Sequence, residues 1–177
     1  MANFDLYAPA LLSWEGGFAI VEGDTGGPTN LGVTIETFRL YINKYATIDD
    51  LRNMTDAQWR RIAKGEFWDK IGGDDITNQS VAELIMDWCY HSGLGTIKKI
   101  QGIVGTKTDG VVGPKTIAAI NGWNQKRLHF TIKAARAEHM ATIIKRQSFK
   151  LKFYDGWIRR LASLMYGKTM LKADVWK

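Results

Sequence analysis

The chain contains little cysteine, little proline and little histidine. Its single cysteine, Cys89, has no partner for an internal disulfide, so a disulfide-stapled scaffold is excluded. One cysteine and three widely spaced histidines provide no cluster with metal-ligand spacing, and we expect no metal site. Because Cys89 lies in an apolar helical pattern, a buried inert thiol is favoured over a nucleophile.

Long apolar runs are also missing. No segment approaches the length of a membrane span. The N-terminus has neither the basic region nor the apolar core of a signal peptide, and the first helical segment contains Asp5 and Glu15. The sequence therefore predicts synthesis in the cytoplasm without a signal peptide, so that any export uses another route.

The composition is that of an ordinary globular protein. Of 177 residues, 45% are apolar and 24% are charged, which suits one domain or one domain with a small module. Strand signals are weak and helical periodicity recurs, so we predict a mainly α fold with a Gly-rich loop or short hairpin near residues 22–32. A soft boundary divides the chain into residues 1–95 and a helical part, 96–177, packed on the first.

The net charge is +6, and the basic residues are concentrated after residue 126. They include Lys145, Arg146, Lys150, Lys152, Arg159 and Arg160. A basic surface fits a polyanionic partner, which is a nucleic acid, an anionic lipid or a cell-wall polymer. A merely solvated basic face is the alternative. Since no helix-turn-helix signature is present, no nucleic acid partner is expected.

Glu15 is the first candidate for a chemical role. It follows an apolar helical face and precedes the pair Gly16 and Gly17, which we expect to end the helix in a left-handed conformation. The negative end of the helix dipole and apolar neighbours both raise a carboxyl pKa. Such a group can hold its proton and act as a general acid. The alternative is a solvated glutamate at a helix end.

A second carboxylate, Asp24, follows with eight residues between it and Glu15. Glycoside hydrolysis requires such a pair, one acid to protonate the leaving oxygen and one carboxylate to activate water or stabilise positive charge. Glycines around Asp24 allow sharp turns and close approach of a ligand. A turn residue bonded to its own backbone is the alternative for Asp24. The phosphate-binding P-loop pattern is absent.

Helix starts are marked by several residues. Thr34, Thr55 and Thr96 each precede an apolar periodic segment, and Thr55 forms a capping box with Gln58. Pro114 suits the first turn of a helix. A long helix is expected from about residue 127 to 149 and another through Phe153, Trp157, Leu161 and Leu164.

Several motifs together resemble glycoside hydrolase family 108, the lysozyme-like N-acetylmuramidases of phage endolysins and prophage-derived bacterial proteins. They are Trp-Glu-Gly-Gly-Phe at residues 14–18, the glycine-rich run at 24–34, Phe-Trp at 67–68 and the helix at 87–93. Residues 109–116 are similar to the family's predicted peptidoglycan-binding segment. The resemblance covers nearly the whole chain and implies a lysozyme-like fold that needs no cofactor.

The resemblance implies that Glu15 is the catalytic acid in cleaving the β-1,4 bond between N-acetylmuramic acid and N-acetylglucosamine. By analogy with the Glu-x8-Asp-x5-Thr arrangement of phage-type lysozymes, Asp24 is the second carboxylate. The five-residue gap ends on Asn30, with Thr29 one residue early, so the third polar residue is Thr29, Asn30 or Thr34. We take Glu15, Asp24 and Thr29 as the catalytic set.

Substrate contacts are expected from polar and aromatic residues nearby. The candidates are Asn30, Thr34, Phe67, Trp68, Tyr90 and His91. The three aromatics lie near glycine breaks, where flat rings can stack on sugars. Four tryptophans lie at helical apolar positions and are predicted to be in the core. They are Trp14, Trp59, Trp88 and Trp157. At His91 the family usually carries asparagine, and an imidazole can make the same polar contact or serve only the structure.

The resemblance also implies a binding partner and leaves two alternative functions. Peptidoglycan glycan strands are the expected partner of a monomer that acts on the cell wall after release or holin-type export. One alternative is a non-catalytic peptidoglycan-binding or secretion-associated protein with this fold. The other is a lytic transglycosylase, whose chemistry needs only one glutamate.

Overall fold

Helices dominate the computed structural model, which describes residues 1–20 and 27–175. They are α1 Phe4–Trp14, α2 Ile35–Tyr41, α3 Ile48–Arg52, α4 Asp56–Ala63, α5 Gln79–Ser92, α6 Ile97–Val104, α7 Pro114–Gly122, α8 Gln125–Arg146 and α9 Tyr154–Ser163. The predicted mainly α class is confirmed. None of the helices in these ranges is long and apolar enough to cross a membrane.

Two short antiparallel hairpins accompany the helices. Strands β1 Thr29–Asn30 and β2 Val33–Thr34 form the first, and β3 Leu164–Met165 and β4 Lys168–Thr169 form the second. The first lies within the region predicted as a loop or hairpin. The second was not predicted, because two-residue strands are too short to show alternating periodicity. A π-helical turn at Lys64–Trp68 continues α4, and short 3₁₀ turns lie at Gly73–Asp75, Leu94–Thr96, Ser148–Phe153 and Lys172–Asp174.

The threonine caps are confirmed at two of three positions. The Thr34 hydroxyl accepts from the Thr37 N–H, and Thr55 and Gln58 form the predicted capping box at the start of α4. Thr96 makes no side-chain cap. Its hydroxyl donates instead to the Gly93 carbonyl at 2.9 Å, because a 3₁₀ turn precedes α6 and occupies the position expected for the cap.

The end of α1 differs from the expected glycine stop. Glu15 itself leaves the helix with extended backbone angles, while its N–H donates to the Leu12 carbonyl. Neither Gly16 nor Gly17 is among the glycines with positive φ. The prediction of a left-handed glycine stop was therefore wrong, since the turn to extended backbone occurs one residue earlier.

The core is built around α5, in which every residue from Ser80 to Cys89 is buried. Side chains from both sides of residue 95 join one cluster of buried apolar residues, as Leu84 and Ile132 illustrate. The division at residue 95 stays a prediction. Burial raises the pKa of Cys89 to about 11, which agrees with an inert thiol.

Candidate active site

Glu15 lies at the end of α1 with its carboxylate almost enclosed. Only 12% of the side chain is exposed, and Oε1 accepts a hydrogen bond from Arg160 Nη1 at 2.7 Å. Arg160 lies on α9, so the two partners are 145 positions apart in the chain. The carboxylate therefore bridges the first helix and the last one.

The β1–β2 hairpin lies against the other carboxylate oxygen of Glu15, Oε2. Its turn residues Leu31 and Gly32 both have positive φ, +50° and +77°, which is the pattern of a type I′ turn. A Cβ at Gly32 would lie 2.9 Å from Glu15 Oε2 and 2.9 Å from the Tyr90 hydroxyl oxygen. The missing side chain at Gly32 lets the hairpin approach Glu15 this closely.

Leu31 is held in its unusual conformation by two donors. Tyr90 Oη donates to the Leu31 carbonyl at 2.7 Å, and Trp59 Nε1 donates to the same oxygen at 3.2 Å. A bulky residue at positive φ is strained and persists only where its surroundings enforce it. The hydrogen bonds thus tie the hairpin to α4 and α5, and the Phe67 ring packs on Tyr90 with centroids 4.7 Å apart.

Beneath Glu15, the buried carboxylate of Asp87 pairs with two guanidinium groups. Asp87 on α5 accepts hydrogen bonds from Arg160 Nε at 3.0 and 3.1 Å and from the Tyr7 hydroxyl at 2.5 Å. Arg136 on α8 forms an ion pair with Asp87 at 2.6 Å between Nη2 and Oδ1, and neither side chain is more than 1% exposed. One carboxylate thereby links α1, α5, α8 and α9.

The network sets the charge states around the site. Burial raises the pKa of Glu15, while the nearby Arg160 guanidinium opposes that shift. Burial also acts to raise the pKa of Asp87, but Arg160 and Arg136 outweigh it and hold that pKa well below its usual range. Burial, reinforced by Arg160, lowers the pKa of His91 to about 4, so the imidazole is neutral near pH 7. Burial therefore biases Glu15 toward holding a proton.

Some predicted site residues come together around Glu15, and others lie outside the described residues. Tyr90 and Phe67 lie beside the hairpin and Glu15. Asp24 falls in residues 21–26, outside the described ranges, so its role stays a prediction. The ring of His91 contacts Trp157 edge-on at 5.7 Å, and its Nδ1 is buried without a hydrogen-bond partner among the described residues.

Trp68 is a correction to the predicted set of sugar-stacking residues. Its side chain is fully buried, with Nε1 donating to Asp74 Oδ1 at 2.7 Å. Trp68 lies in the π turn that continues α4 and its ring fills the core, whereas the neighbouring Phe67 is half-buried. Trp59 and Trp88 are fully buried, as predicted, whereas Trp14 and Trp157 are half-buried.

The polar hairpin residues have structural contacts. Asn30 is buried, and its side-chain amide donates to the carbonyls of Leu51 and Arg52 at 2.9 and 3.1 Å. The two hydrogen bonds occupy both N–H groups of the amide and hold the hairpin on α3, and the predicted contact of Asn30 with substrate stays a prediction. The Thr34 hydroxyl caps α2, and Thr29, half-buried, lies opposite Thr34 in the hairpin.

Sequence reasoning missed the charged network beneath the site. Arg160 was assigned to the basic surface, yet it is buried and paired, so that assignment was wrong. The signal was a charge inside an apolar helical pattern. Asp87 stands among Leu84, Ile85, Met86, Trp88 and Cys89, and a carboxylate in such a run needs a buried cation. Arg136 likewise interrupts the buried face of α8 formed by Ile132 and Met140.

Metal chemistry has no obvious ligands in the part of the chain that the structure describes. No group of three or more histidine, cysteine, aspartate or glutamate side chains lies close enough there to hold an ion. The cations that act on Glu15 are the side chains of Arg160 and Lys172. A buried carboxyl group with a raised pKa permits general acid catalysis at Glu15.

Comparisons with known proteins find family models and a solved structure that are similar to this chain. A family model described as glycosyl hydrolase 108 matches residues 8–93, and one described as a predicted peptidoglycan domain matches residues 96–162. The fold is similar to the solved structure of SagA from Brucella abortus, with a TM-score of 0.75 and 28% identity over 91% of this chain and 90% of that one. A search of curated proteins finds no match. The chain therefore has a glycosyl hydrolase 108 domain at residues 8–93 and a predicted peptidoglycan domain at residues 96–162, and these identify it as a glycosyl hydrolase that acts on peptidoglycan.

Proposed function

We propose that the protein is an N-acetylmuramidase that cleaves the β-1,4 bond between N-acetylmuramic acid and N-acetylglucosamine, with Glu15 as the general acid. The observation that carries the proposal is a nearly enclosed carboxyl group whose pKa is raised by burial and whose Oε2 faces the hairpin turn at Gly32. A carboxylic acid that keeps its proton is what protonation of a glycosidic oxygen requires.

The two oxygens of Glu15 have different roles in this mechanism. Oε1 is held by Arg160, so Oε2 carries the proton and donates it to the leaving glycosidic oxygen. Once the proton has left, Glu15 is an anion, and the Arg160 guanidinium at 2.7 Å stabilises it. Arg160 thus limits the rise of the Glu15 pKa before transfer and favours the product of the transfer afterwards.

The second half of the reaction falls to Asp24 in our proposal. As the glycosidic bond breaks, positive charge develops on the sugar ring, and a carboxylate opposite the acid either stabilises it or activates water. Asp24 supplies that carboxylate. The half-buried ring of Phe67, packed on Tyr90, offers a flat apolar surface for a sugar face.

In this proposal the protein acts on the wall after release from the cytoplasm.

The decisive experiment is mass spectrometry of purified peptidoglycan digested with the wild-type protein and with Glu15→Gln. We expect wild-type products with reducing-end muramic acid and a loss of at least about a hundredfold in rate for Glu15→Gln, because the amide has no acidic proton to donate. The variant should keep its fold, since burial favours the neutral side chain here.

A matched control is Glu36→Gln, which makes the same chemical change at an exposed glutamate in the first turn of α2. We expect wild-type activity from it. Full activity of Glu15→Gln would contradict the role of Glu15. Anhydro-muramic acid ends in the wild-type digest would mean a lytic transglycosylase, and binding without any product would mean a non-catalytic peptidoglycan-binding protein.

A further inference from the structure

The connection between α8 and α9 displays large apolar side chains to solvent. In the 3₁₀ turn Ser148–Phe153, the exposed fraction is 66% for Phe149, 62% for Leu151 and 47% for Phe153. Single exposed apolar residues are common on proteins, but three within one short turn concentrate apolar surface at one place on the molecule.

Basic side chains alternate with these apolar ones. The Lys150 ammonium lies 6.0 Å from the centroid of the Phe149 ring, and the Lys152 ammonium lies 5.1 Å from the centroid of the Phe153 ring. The preceding helix ends in Lys145 and Arg146, and the sequence holds no acidic residue from position 139 to 154. We call residues 145–153 the basic–apolar turn.

A cationic groove borders the basic–apolar turn. This cavity of about 360 Å³ lies between α6 and α8, and its lining includes Lys99, His139 and Arg146, with Glu138 as the single carboxylate. Arg146 belongs to both the groove and the turn, so the two features are adjacent. Burial lowers the pKa of His139, and Lys99 and Arg146 lower it further, as expected where the local potential is positive.

We propose that the basic–apolar turn docks the protein on the surface of an anionic phospholipid bilayer. The apolar side chains enter the interfacial region, the lysines lie at the level of the lipid phosphates, and the groove accepts a phosphate headgroup. Of the polyanions that suit a basic surface, only a bilayer also offers an apolar phase for Phe149 and Leu151. Glycan and teichoic polymers would leave the Leu151 side chain in water.

The test is co-sedimentation of the full chain with vesicles of phosphatidylglycerol mixed with phosphatidylcholine, and with vesicles of phosphatidylcholine alone. We expect binding to the anionic vesicles only, weakening as salt is added. A double variant, Phe149→Ser with Lys150→Gln, should bind at least about fivefold more weakly, which is the loss expected from one lysine near the surface before the aromatic ring is counted.

A matched control removes the same two kinds of side chain elsewhere. Leu40, 78% exposed, and Lys44, also exposed, become Leu40→Ser with Lys44→Gln, and we expect anionic vesicle binding equal to wild type. Far-ultraviolet circular dichroism should be the same for both variants and the wild type. Because no glycan is present, the result is independent of the role of Glu15.

Three outcomes of the vesicle experiment would overturn the proposal. They are failure of the wild type to bind anionic vesicles, equal binding to neutral vesicles, and equal effects of the two double variants. A parallel arm uses purified peptidoglycan sacculi carrying wall polymers. If the Phe149 and Lys150 variant loses sacculus binding but keeps vesicle binding, the turn serves the wall polymer and the lipid assignment is wrong.

Discussion

At the scale of single residues, opposing effects are balanced on Glu15. Burial favours its protonated form, while the guanidinium of Arg160 favours the anion. A glutamate that is only buried would hold its proton too firmly to release it, and one that is only paired would not hold it near neutral pH. Arg160, which binds both Glu15 and Asp87, therefore limits how far burial raises the pKa of Glu15.

Arg160→Gln tests this balance. Removing the cation raises the pKa of Glu15 further, so the protonated, active form persists to higher pH and the alkaline limb of the activity profile moves upward. We expect kcat to fall because Oε1 loses its anchor, and stability to fall by about 3–5 kcal/mol because Asp87 loses one partner. The measurements are the pH dependence of peptidoglycan hydrolysis and urea unfolding.

Arg160→Lys serves as the conservative variant and should return the alkaline limb toward its wild-type position, since it keeps the charge. Arg61→Gln, at an exposed position of α4, is the matched control and should leave both profile and stability unchanged. An alkaline limb that does not move in Arg160→Gln would mean that Arg160 does not influence the proton on Glu15.

At the scale of elements, the β1–β2 hairpin brings backbone to the acid. Its turn requires a residue without a side chain at Gly32, where φ is +77° and a Cβ would lie 2.9 Å from Glu15 Oε2. The hairpin in turn depends on the hydrogen bonds from Tyr90 and Trp59 to the Leu31 carbonyl. The close approach of backbone to Oε2 therefore depends on the whole hairpin and not on Gly32 alone.

Gly32→Ala is expected to lose activity and about 1–2 kcal/mol of stability, because the methyl group meets a carboxylate and a phenol at a backbone angle unfavourable for alanine. Turbidity clearing of cell walls and thermal unfolding measure the two effects. Gly122→Ala, at the end of α7, is the control, since no atom lies within 4 Å of the added carbon. Normal activity of Gly32→Ala would show that the approach of the hairpin is not needed.

At the scale of the whole molecule, Asp87 joins the two halves of the chain. Its partners Arg136 and Arg160 come from the part that matches the peptidoglycan domain, whereas Tyr7 and Asp87 come from the part before residue 95. Charges buried this deeply are costly unless they are paired, so the halves depend on each other electrostatically.

Acid unfolding should report this dependence. The folded state holds the pKa of Asp87 well below its unfolded value of about 3.9, so its contribution is complete above that pH and declines as the pH falls toward the folded pKa. Asp87→Asn should lower stability by about 3–5 kcal/mol at pH 7 and reduce the pH dependence below about pH 4. Urea unfolding at a series of pH values measures both. Unchanged stability of Asp87→Asn at pH 7 would contradict the role of Asp87 in joining the two halves of the chain.

Much of the fold was predictable because it depends on local patterns. Apolar spacing of three and four residues identified the main helices, and the caps at Thr34 and Thr55 lie where they were expected. The neighbouring aromatics Phe67 and Trp68 show the limit of such reasoning. They are adjacent in sequence, yet one packs beside the site and the other fills the core. Both lie in the π turn Lys64–Trp68, where successive side chains point in different directions, so only the packing around the turn decides which ring is buried.

By itself, the sequence determined the helical class, the glycosyl hydrolase 108 match and the position of Glu15 at a helix end, since each depends on short-range patterns and motifs. Only the tertiary structure decided which cation meets that carboxylate and which of its oxygens faces the hairpin. Arg160 is 145 positions away and looked like one more surface arginine. In the folded chain the Arg160 side chain is buried between the carboxylates of Glu15 and Asp87, and a buried charge is stable only when it is paired in this way.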